Sequence, residues 1–521
     1  MKGYKHIIVI FLLSCGYALL TAFSGLNTYD EGILLTGGMR VLNGEIPNSG
    51  FSGLYPSGSY FFIAPFIALF KNSLLVSRLL ASLFFAGNCV YIFLFAKRIS
   101  VSPLAPFAAW IVCVLWCGLP STSLRAVFIA IFCALTSLYI FTSSTIPYKR
   151  KNLLSFIFLL LCSLFRWDIA LYCSVGLSLY YALHKSQHKV IGFIVALLTL
   201  SIISIVFPLL FIFSLGGTEA FLSAWQQTIL FPIVDFPHYR QLPLPFFFPR
   251  WSEEGRGDVI LSTIALWGLC ITFLYIFYTQ YRKRTLQSYT HNPTLFITLI
   301  IFTLCSFNQA RVRTDFEHHI PALFTGCILI AALLSKGNEQ LSIRSLHTLP
   351  LIIFCFIICI PLPFKVKQLS EIKNYSFFQT ATLGGVSYKN TISYDRLIAF
   401  ITEHTTPNER ILICPSGNNL GTSCDILLYY ATQRLPATQW HEFHPGITSR
   451  EDIQKQIIAD LQKNDCRFII RQSVQRSLEP NLSSRSISSN VLDIYINTHY
   501  HAIQTIDSYT IFVLNTGISK P

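Results

Sequence analysis

A hydrocarbon core takes about 20 residues of helix to cross, and apolar runs near that length recur along this chain from its N-terminus to about residue 362. They place predicted spans at about 6–24, 74–96, 104–119, 125–143, 152–166, 169–183, 190–213, 258–279, 294–307, 318–335 and 347–362. The expectation is an α-helical polytopic membrane protein with about eleven transmembrane helices. The runs at 152–166 and 169–183 are short for a full crossing, so the count is open by one or two. Only 12% of the 521 residues are charged, roughly half the share of an ordinary soluble domain. Past residue 363 the composition turns to mixed sequence. Residues 364–521 are therefore expected to form one soluble domain beside a membrane module at 1–363.

The formal net charge of +14 would suggest nucleic acid in a soluble protein. Its distribution points elsewhere. Lys2, Lys5, Lys97, Arg98, Lys149, Arg150, Lys151, Lys185, Lys189, Arg282, Lys283, Arg284, Lys336 and Arg344 sit in short loops between runs, against the single acid Glu339. Cytoplasmic loops retain Lys and Arg, so the excess reads as topology and no nucleic-acid partner is expected. The N-terminus falls inside and the C-terminal domain outside the membrane. Lys2 and Lys5 ahead of the first run resemble a signal peptide, but no small-x-small cleavage site stands out near Phe23, so an uncleaved span is expected. Most of the 15 cysteines fall inside spans and read as small core or lipid-facing residues. Cys414, Cys424 and Cys466 fall in the outer domain, where Cys414 and Cys424 could pair in an oxidising compartment. No C-x-x-C or His/Cys array suggests a zinc site.

With this topology the outer loops carry four polar groupings. The first is Asp30, Glu31 and Glu45. The second is Arg166-Trp167-Asp168. The third is a long loop at about 214–257, with Asp235, His238, Arg240, Arg250 and the string PLPFFFPRW. The fourth is NQARVRTDFEHHIP at 308–321. A charge at bilayer depth costs about 2.5–3.5 kcal/mol on insertion scales, so it faces a partner or a wet cavity. A carrier more often sets polar groups near the midplane in broken helices, whereas these spans are almost free of ionisable residues. The chemistry is expected on the outer face.

Residues 31–43 can form an amphipathic surface helix with Asp30 as its N-cap, and acids at a helix start suit the free N–H groups and the dipole. The alternative is that one carboxylate is a general base while the other orients or caps, since adjacent residues do not share a helix face. Arg311, Arg313, His318 and His319 lie at a helix mouth with Asp315 and Glu317 among them. They read either as an interfacial ion-pair network or as a phosphate clamp, because guanidinium forks match phosphate oxygens. Asp315-Phe316-Glu317 has a spacing that could ligate a divalent ion, but a helix start accounts for it; no metal or cofactor is called for.

Several of these stretches resemble a known family. Asp30-Glu31-Gly32, then Val41-Leu42-Asn43-Gly44-Glu45-Ile46-Pro47, Tyr55-Pro56-Ser57-Gly58 and Arg78-Leu79 look like the first outer loop and second span of the GT-C fold glycosyltransferases. The branch is the bacterial one related to protein O-mannosyltransferases and lipid A aminoarabinose transferases (glycosyltransferase family 39-like). Arg313-Thr314-Asp315-Phe316-Glu317-His318 before Pro321-Ala322-Leu323 resembles the family's Arg-x-Asp-x-x-His, and Arg166-Trp167-Asp168 an Arg-x-Asp between middle spans. The layout covers most of the chain and the motifs are short. Gly50 stands where many relatives carry a further acid. The resemblance implies a polyprenyl-phosphate sugar as donor, an envelope lipid, glycan or protein as acceptor, and inverting transfer on the outer face. It places the catalytic acid at Asp30, with Glu31 in reserve. Arg313 and His318, with Arg311 and Arg166, would hold the donor phosphate; Asp315, Asp168 and Glu45 would support them. The arrangement requires the anionic groups near the start and the cationic ones past 310 to meet in one outward-facing crevice.

The absence of Asp-x-Asp and of a Gly-rich phosphate loop agrees with a lipid-linked rather than a nucleotide-linked donor. A lipid-linked sugar transporter or flippase, a non-catalytic envelope-assembly protein, and a polymerase or ligase of O-antigen type are the competing readings. In the outer domain, helices are expected at 393–404, 425–432, 449–463 and 491–499, strands at 410–414 and 467–471, and a closing hairpin at 502–514. This alternation favours a three-layer α/β domain. His441-Glu442-Phe443-His444 reads as plain surface loop.

Overall fold

The computed structural model describes residues 2–71, 73–118, 123–184, 189–242, 268, 290–313, 315–334, 360–418, 423–474, 481–484 and 489–515. The predicted span at 258–279, most of that at 347–362 and the aromatic string at 243–251 lie outside them. The chain is mostly helical and forms two compact units. One comprises Met1–Ala22, Leu79–Pro208 and Pro243–Glu371; the other comprises Phe23–Arg78, Leu209–Leu242 and Ile372–Pro521.

In the first unit, helices stand where apolar runs predicted spans: α1 Lys2–Ala22, α4 Ser73–Ile99 from Leu79 on, α5 Ala105–Cys117, α6 Ala126–Phe141, α7 Tyr148–Phe165, α8 Trp167–His184, and the first part of α9 Lys189–Ala224. Beyond the two short helices of the other unit, α10 Phe231–Val234 and α11 Phe236–Arg240, follow α12 Pro293–Val312, α13 Phe316–Leu334 and α14 Pro361–Ile372. Among the described residues, four helical stretches are long and apolar enough to cross a membrane: Lys5–Ala22, Ser73–Ile99, Lys189–Val234 and Pro293–Arg311. The chain is a multi-pass membrane protein. Lipid gives no hydrophobic drive between such helices, so small and hydroxylic residues join them. Ser137 meets Ser155 at 2.9 Å, Ser174 meets Ser204 at 3.0 Å, and the Trp110 indole donates to Ser14 at 2.8 Å. The α7–α8 break falls at Arg166, whose backbone is extended. α12 opens with Pro293 in its first turn, capped by the Asn292 side chain, which accepts from the Leu295 amide at 3.0 Å.

The second unit gathers the first loop, Leu209–Leu242 and the C-terminal sequence. α2 spans Asp30–Leu42, and α3, Gly58–Leu69, is a helix the apolar-run reading did not place. The expected long loop at 214–257 is corrected: α9 continues to Ala224 through a kink at Gly217, which has a left-handed φ of 66°. A π-helical turn at Trp225–Leu230, then α10 and α11, complete this stretch.

The C-terminal elements match their predicted positions closely. α15 Thr391–His404, α16 Leu427–Thr432, α17 Glu451–Lys463 and α18 Val491–His499 accompany strands β3 Leu412–Pro415, β4 Phe468–Gln472, β5 Tyr500–Ile506 and β6 Tyr509–Leu514. β1 Ser376–Phe377 and β2 Ser387–Tyr388 form a small separate ladder. The larger sheet has the order β3-β4-β6-β5 and is mixed: β3 runs parallel to β4, while β6 is antiparallel to both β4 and β5. Cys414, Cys424 and Cys466 are buried free thiols and form no pair; the Cys424 thiol lies 3.6 Å from the Ile413 carbonyl.

α2 is clamped between α3 and the start of α16. A Cβ on Gly37 would come within 2.2 Å of the Tyr60 ring, and one on Gly32 within 2.3 Å of the Leu427 backbone nitrogen. Thr36 adds a hydrogen bond to the Ile426 carbonyl at 3.0 Å. Only a helix face built of Gly and Thr admits such approach, so α2 is docked by backbone contact as well as by its apolar side chains.

Candidate functional site

Asp30, Glu31 and Glu45 lie in the second unit; Arg166, Asp168, Arg311, Arg313, Asp315 and His318 lie in the first. The adjacent acids have different surroundings. Glu31 is 2% exposed and grips Arg78, itself 1% exposed, with both oxygens, at 2.7 Å to Nε and 2.8 Å to Nη2. Arg78 also donates to the Gly25 carbonyl at 2.9 Å, and the Asn27 amide donates to Glu31 at 3.1 Å. Asp30 is half-buried. Its carboxylate accepts from the Asn27 side-chain amide at 2.9 Å, and the Asn27 carbonyl oxygen Oδ1 accepts from the Asp30 backbone N–H at 2.9 Å. The expectation that Asp30 is the N-cap is thereby corrected. Asp30 is the first helical residue and Asn27 captures its N–H, so the carboxylate is spared that duty and stands at a helix start, where the dipole favours its charge.

Glu45 joins Arg40 at 2.5 Å and Arg410 at 2.7 Å. It ties the end of α2 to the C-terminal sequence. Arg40 is buried and also reaches the Thr438 carbonyl at 2.9 Å, the Gly50 carbonyl at 3.0 Å and His441 Nδ1 at 3.2 Å. A guanidinium only donates, so Nδ1 accepts and His441 is neutral. Burial, with Arg40 beside it, holds its pKa well below the ordinary value.

The neighbouring Glu442 is 3% exposed and accepts from the Tyr60 hydroxyl at 3.1 Å. Burial pushes its carboxyl up to about 8, although the Tyr60 hydrogen bond opposes the shift. The surface-loop reading of 441–444 is corrected: all four residues are buried, His441 fully. Asp425 is likewise fully buried, between the hydroxyls of Tyr394 and Tyr509, each at 2.8 Å, and burial raises it to about 6.

In the first unit the second and fourth polar groupings come together. Arg166 forks onto Asp168 at 2.9 and 2.8 Å, and Gln309 of α12 donates to the same carboxylate at 2.6 Å. Beside it, Asn308 donates to the Tyr172 hydroxyl at 3.1 Å and receives Arg311 at 3.0 Å. Arg313 contacts Asp315 at 2.7 Å, and His318 Nδ1 contacts its other oxygen at 2.5 Å. Asp315 also takes the His318 backbone N–H at 3.0 Å, so it caps α13. Burial raises the Asp315 carboxyl, but His318 and Arg313 outweigh it and hold the group well below the ordinary carboxylate range. Arg125 pairs with Glu317, which assigns that acid to a bridge between the starts of α6 and α13.

The sequence did not single out Arg40, Arg125 or Arg410; Gln309 stands there only within the string at 308–321, and Glu442 only within a stretch that reads as surface loop. Arg78 stands in the Arg78-Leu79 motif, and the sequence shows no partner for it. A lone cation inside the apolar run at 74–96 was the available signal, since such a charge demands a counter-ion.

No family model matches the chain, and no curated protein matches it in sequence. Solved structures do. ArnT of Cupriavidus metallidurans, bound to undecaprenyl phosphate, superposes with a TM-score of 0.59 at 10% identity over 99% of each chain. The archaeal oligosaccharyltransferase AglB of Archaeoglobus fulgidus, in complex with an inhibitory peptide and a dolichol-phosphate, gives 0.53 at 10% identity, over all of this chain and 75% of that one. The mycobacterial arabinofuranosyltransferase AftD gives 0.53 at 11% identity, over 98% of this chain and 40% of that one. Across nearly its whole length this chain has the fold of the GT-C membrane glycosyltransferases.

Proposed function

We propose that the chain transfers a sugar from a polyprenyl-phosphate carrier to an envelope acceptor on the outer face of a bacterial plasma membrane. Asp30 is the general base, taking the proton of the attacking hydroxyl or amine, and the displacement inverts the anomeric centre. The observation that carries the reading is the unequal treatment of the two acids. A base must accept a proton in the transition state. Glu31 can do so only by abandoning a buried guanidinium, and breaking such a pair costs about 3–5 kcal/mol. Asp30 is half-buried, and the neutral Asn27 side-chain amide donates to its carboxylate. A positioned base accelerates proton transfer typically 10²–10⁴-fold.

Arg313 and His318 bind the donor phosphate and stabilise the charge that collects on the leaving lipid phosphate; Arg311 and Arg166 assist. Asp315 and Asp168 hold these cations in place, as their short contacts allow. The C-terminal sequence, with its mixed sheet, is the extracytoplasmic domain. The fold supports this reading, since the ArnT structure of that fold carries undecaprenyl phosphate. Comparing envelope glycolipids and polysaccharides by mass spectrometry, with and without this chain, tests it. A saccharide substituent that disappears with the chain is expected. Unchanged envelope glycans together with altered sidedness of a lipid-linked sugar would favour a flippase instead.

A further inference from the structure

Three buried cysteines of the first unit converge, and a fourth lies against one of them. Cys113 and Cys117 lie one turn apart on α5, and Cys327 lies on α13. Their three sulfur atoms are all within 4.8 Å of one another. Cys89, on α4, brings a fourth sulfur to 3.7 Å from that of Cys113. All four side chains are buried. A metal–sulfur bond of about 2.3 Å puts ligand sulfurs about 3.8 Å apart in a tetrahedron and about 4.0 Å apart in a trigonal plane. The Cys89–Cys113 separation already meets that spacing, and the Cys113, Cys117 and Cys327 sulfurs lie within 4.8 Å of one another.

We propose that Cys113, Cys117 and Cys327, with Cys89 as fourth donor, bind a thiophilic closed-shell cation of the Zn²⁺ or Cu⁺ class. Soft sulfur ligands with no carboxylate or imidazole among them select such ions over Mg²⁺, Ca²⁺ or Mn²⁺. Charge sets the protonation state. Four thiolates around a divalent ion would leave two negative charges at bilayer depth, which is costly. The thiolate is the form that binds a metal, so each coordinating thiol releases its proton to solvent as the ion enters; two thiolates neutralise Zn²⁺, one neutralises Cu⁺, and every further one adds a negative charge. The bound ion staples α13 to α4 and α5. α13 is the helix that begins at Phe316 and carries Glu317 and His318, so the staple fixes the register of that helix from its middle. The inference does not depend on the proposed transferase activity.

The test uses the full chain purified in detergent under anaerobic, reducing conditions. Elemental analysis is expected to find roughly one Zn or Cu per chain, as a single thiolate site requires. After stripping, Co²⁺ should give sulfur-to-metal charge-transfer absorption, and parallel Zn²⁺ and Cu⁺ titrations distinguish the two ions. Cys113→Ala and Cys327→Ala should each lower bound metal at least tenfold. Cys133→Ala and Cys162→Ala, which alter other buried thiols, should not. Because cluster variants can misfold, the stripped wild-type chain is also heated with and without Zn²⁺ or Cu⁺. A rise in Tm that Mg²⁺ does not reproduce supports the site. Background metal content with no Co²⁺ spectrum and no Tm rise overturns it, as does undiminished uptake by the Cys113→Ala/Cys327→Ala double variant.

Discussion

Glu31→Gln removes the charge but not the shape of the carboxylate that holds Arg78. The arginine remains 1% exposed, with its Nη2 on the Gly25 carbonyl, and loses both charge-assisted contacts to an anion. Removing one partner of a buried pair costs about 3–5 kcal/mol, because the other charge stays desolvated and uncompensated. Replacing both partners with uncharged residues of similar size costs far less. The Glu31→Gln/Arg78→Met double variant should therefore recover most of the loss, with a coupling energy of about 2 kcal/mol or more. Asp30→Asn exchanges one hydrogen-bonding group for another at a half-buried helix start and should stay within about 1 kcal/mol of wild type. The assay is thermal unfolding of purified protein in one detergent at one scan rate, so that irreversible steps affect all variants alike. The expected order of midpoints is wild type near Asp30→Asn, then the double variant, then Glu31→Gln. If Glu31→Gln melts with Asp30→Asn, or the double variant melts no higher than Glu31→Gln, then Glu31 does not hold a buried cation and the division of roles between the two acids fails.

Glu442 gives a pH prediction. Its proton leaves near the ordinary 4.5 in the unfolded chain and at about 8 in the folded one, so between those values the folded state binds more protons and stability falls as pH rises. Glu442→Gln should flatten that slope and raise the melting temperature at pH 8; an unchanged pH–stability curve would count against its burial as a protonated acid. Arg313→Ala should weaken donor use at least tenfold and Arg313→Lys only partly restore it, because an ammonium lacks the guanidinium fork; equal activity of Arg313→Lys and wild type would argue for a diffuse charge effect. Gly32→Ala meets a backbone nitrogen that no rotamer change can move and should cost about 1–3 kcal/mol as overpacking, read as a lower melting midpoint. A Gly32→Ala chain as stable as wild type would mean that α2 does not dock on the start of α16.

What the sequence disclosed follows from the range of the forces involved. Helices such as α4 and α12 write themselves into continuous apolar runs, and β3, β4 and the β5–β6 hairpin into short apolar stretches between turns. α3 escaped because its twelve residues contain Pro65 and stop short of a full crossing. Residues 214–242 read as loop because Gly216, Gly217 and Glu219 interrupt the run, yet only Gly217 departs from helical geometry within α9.

The site was legible in residue type and less so in role. Asp30 and Glu31 are indistinguishable as neighbours, and the difference between them is made by Arg78, 47 positions on. Glu442 looked like surface beside Trp440 and Pro445, but it is buried by Tyr60, 382 positions away. Arg125 meets its partner Glu317 across 192 positions. Of the cysteine cluster only Cys113 and Cys117, one turn apart, share a spacing in the sequence; Cys89 and Cys327 join them through the packing of three helices.

The central claim is that Asp30 removes the acceptor proton, and one comparison bears on it directly: saccharide transfer to envelope acceptors, quantified by mass spectrometry, in cells carrying wild-type chain or Asp30→Asn at equal membrane abundance. The account predicts a loss of about 10²–10⁴-fold in the variant with melting behaviour unchanged. Transfer at the wild-type rate by a correctly folded Asp30→Asn protein would contradict it.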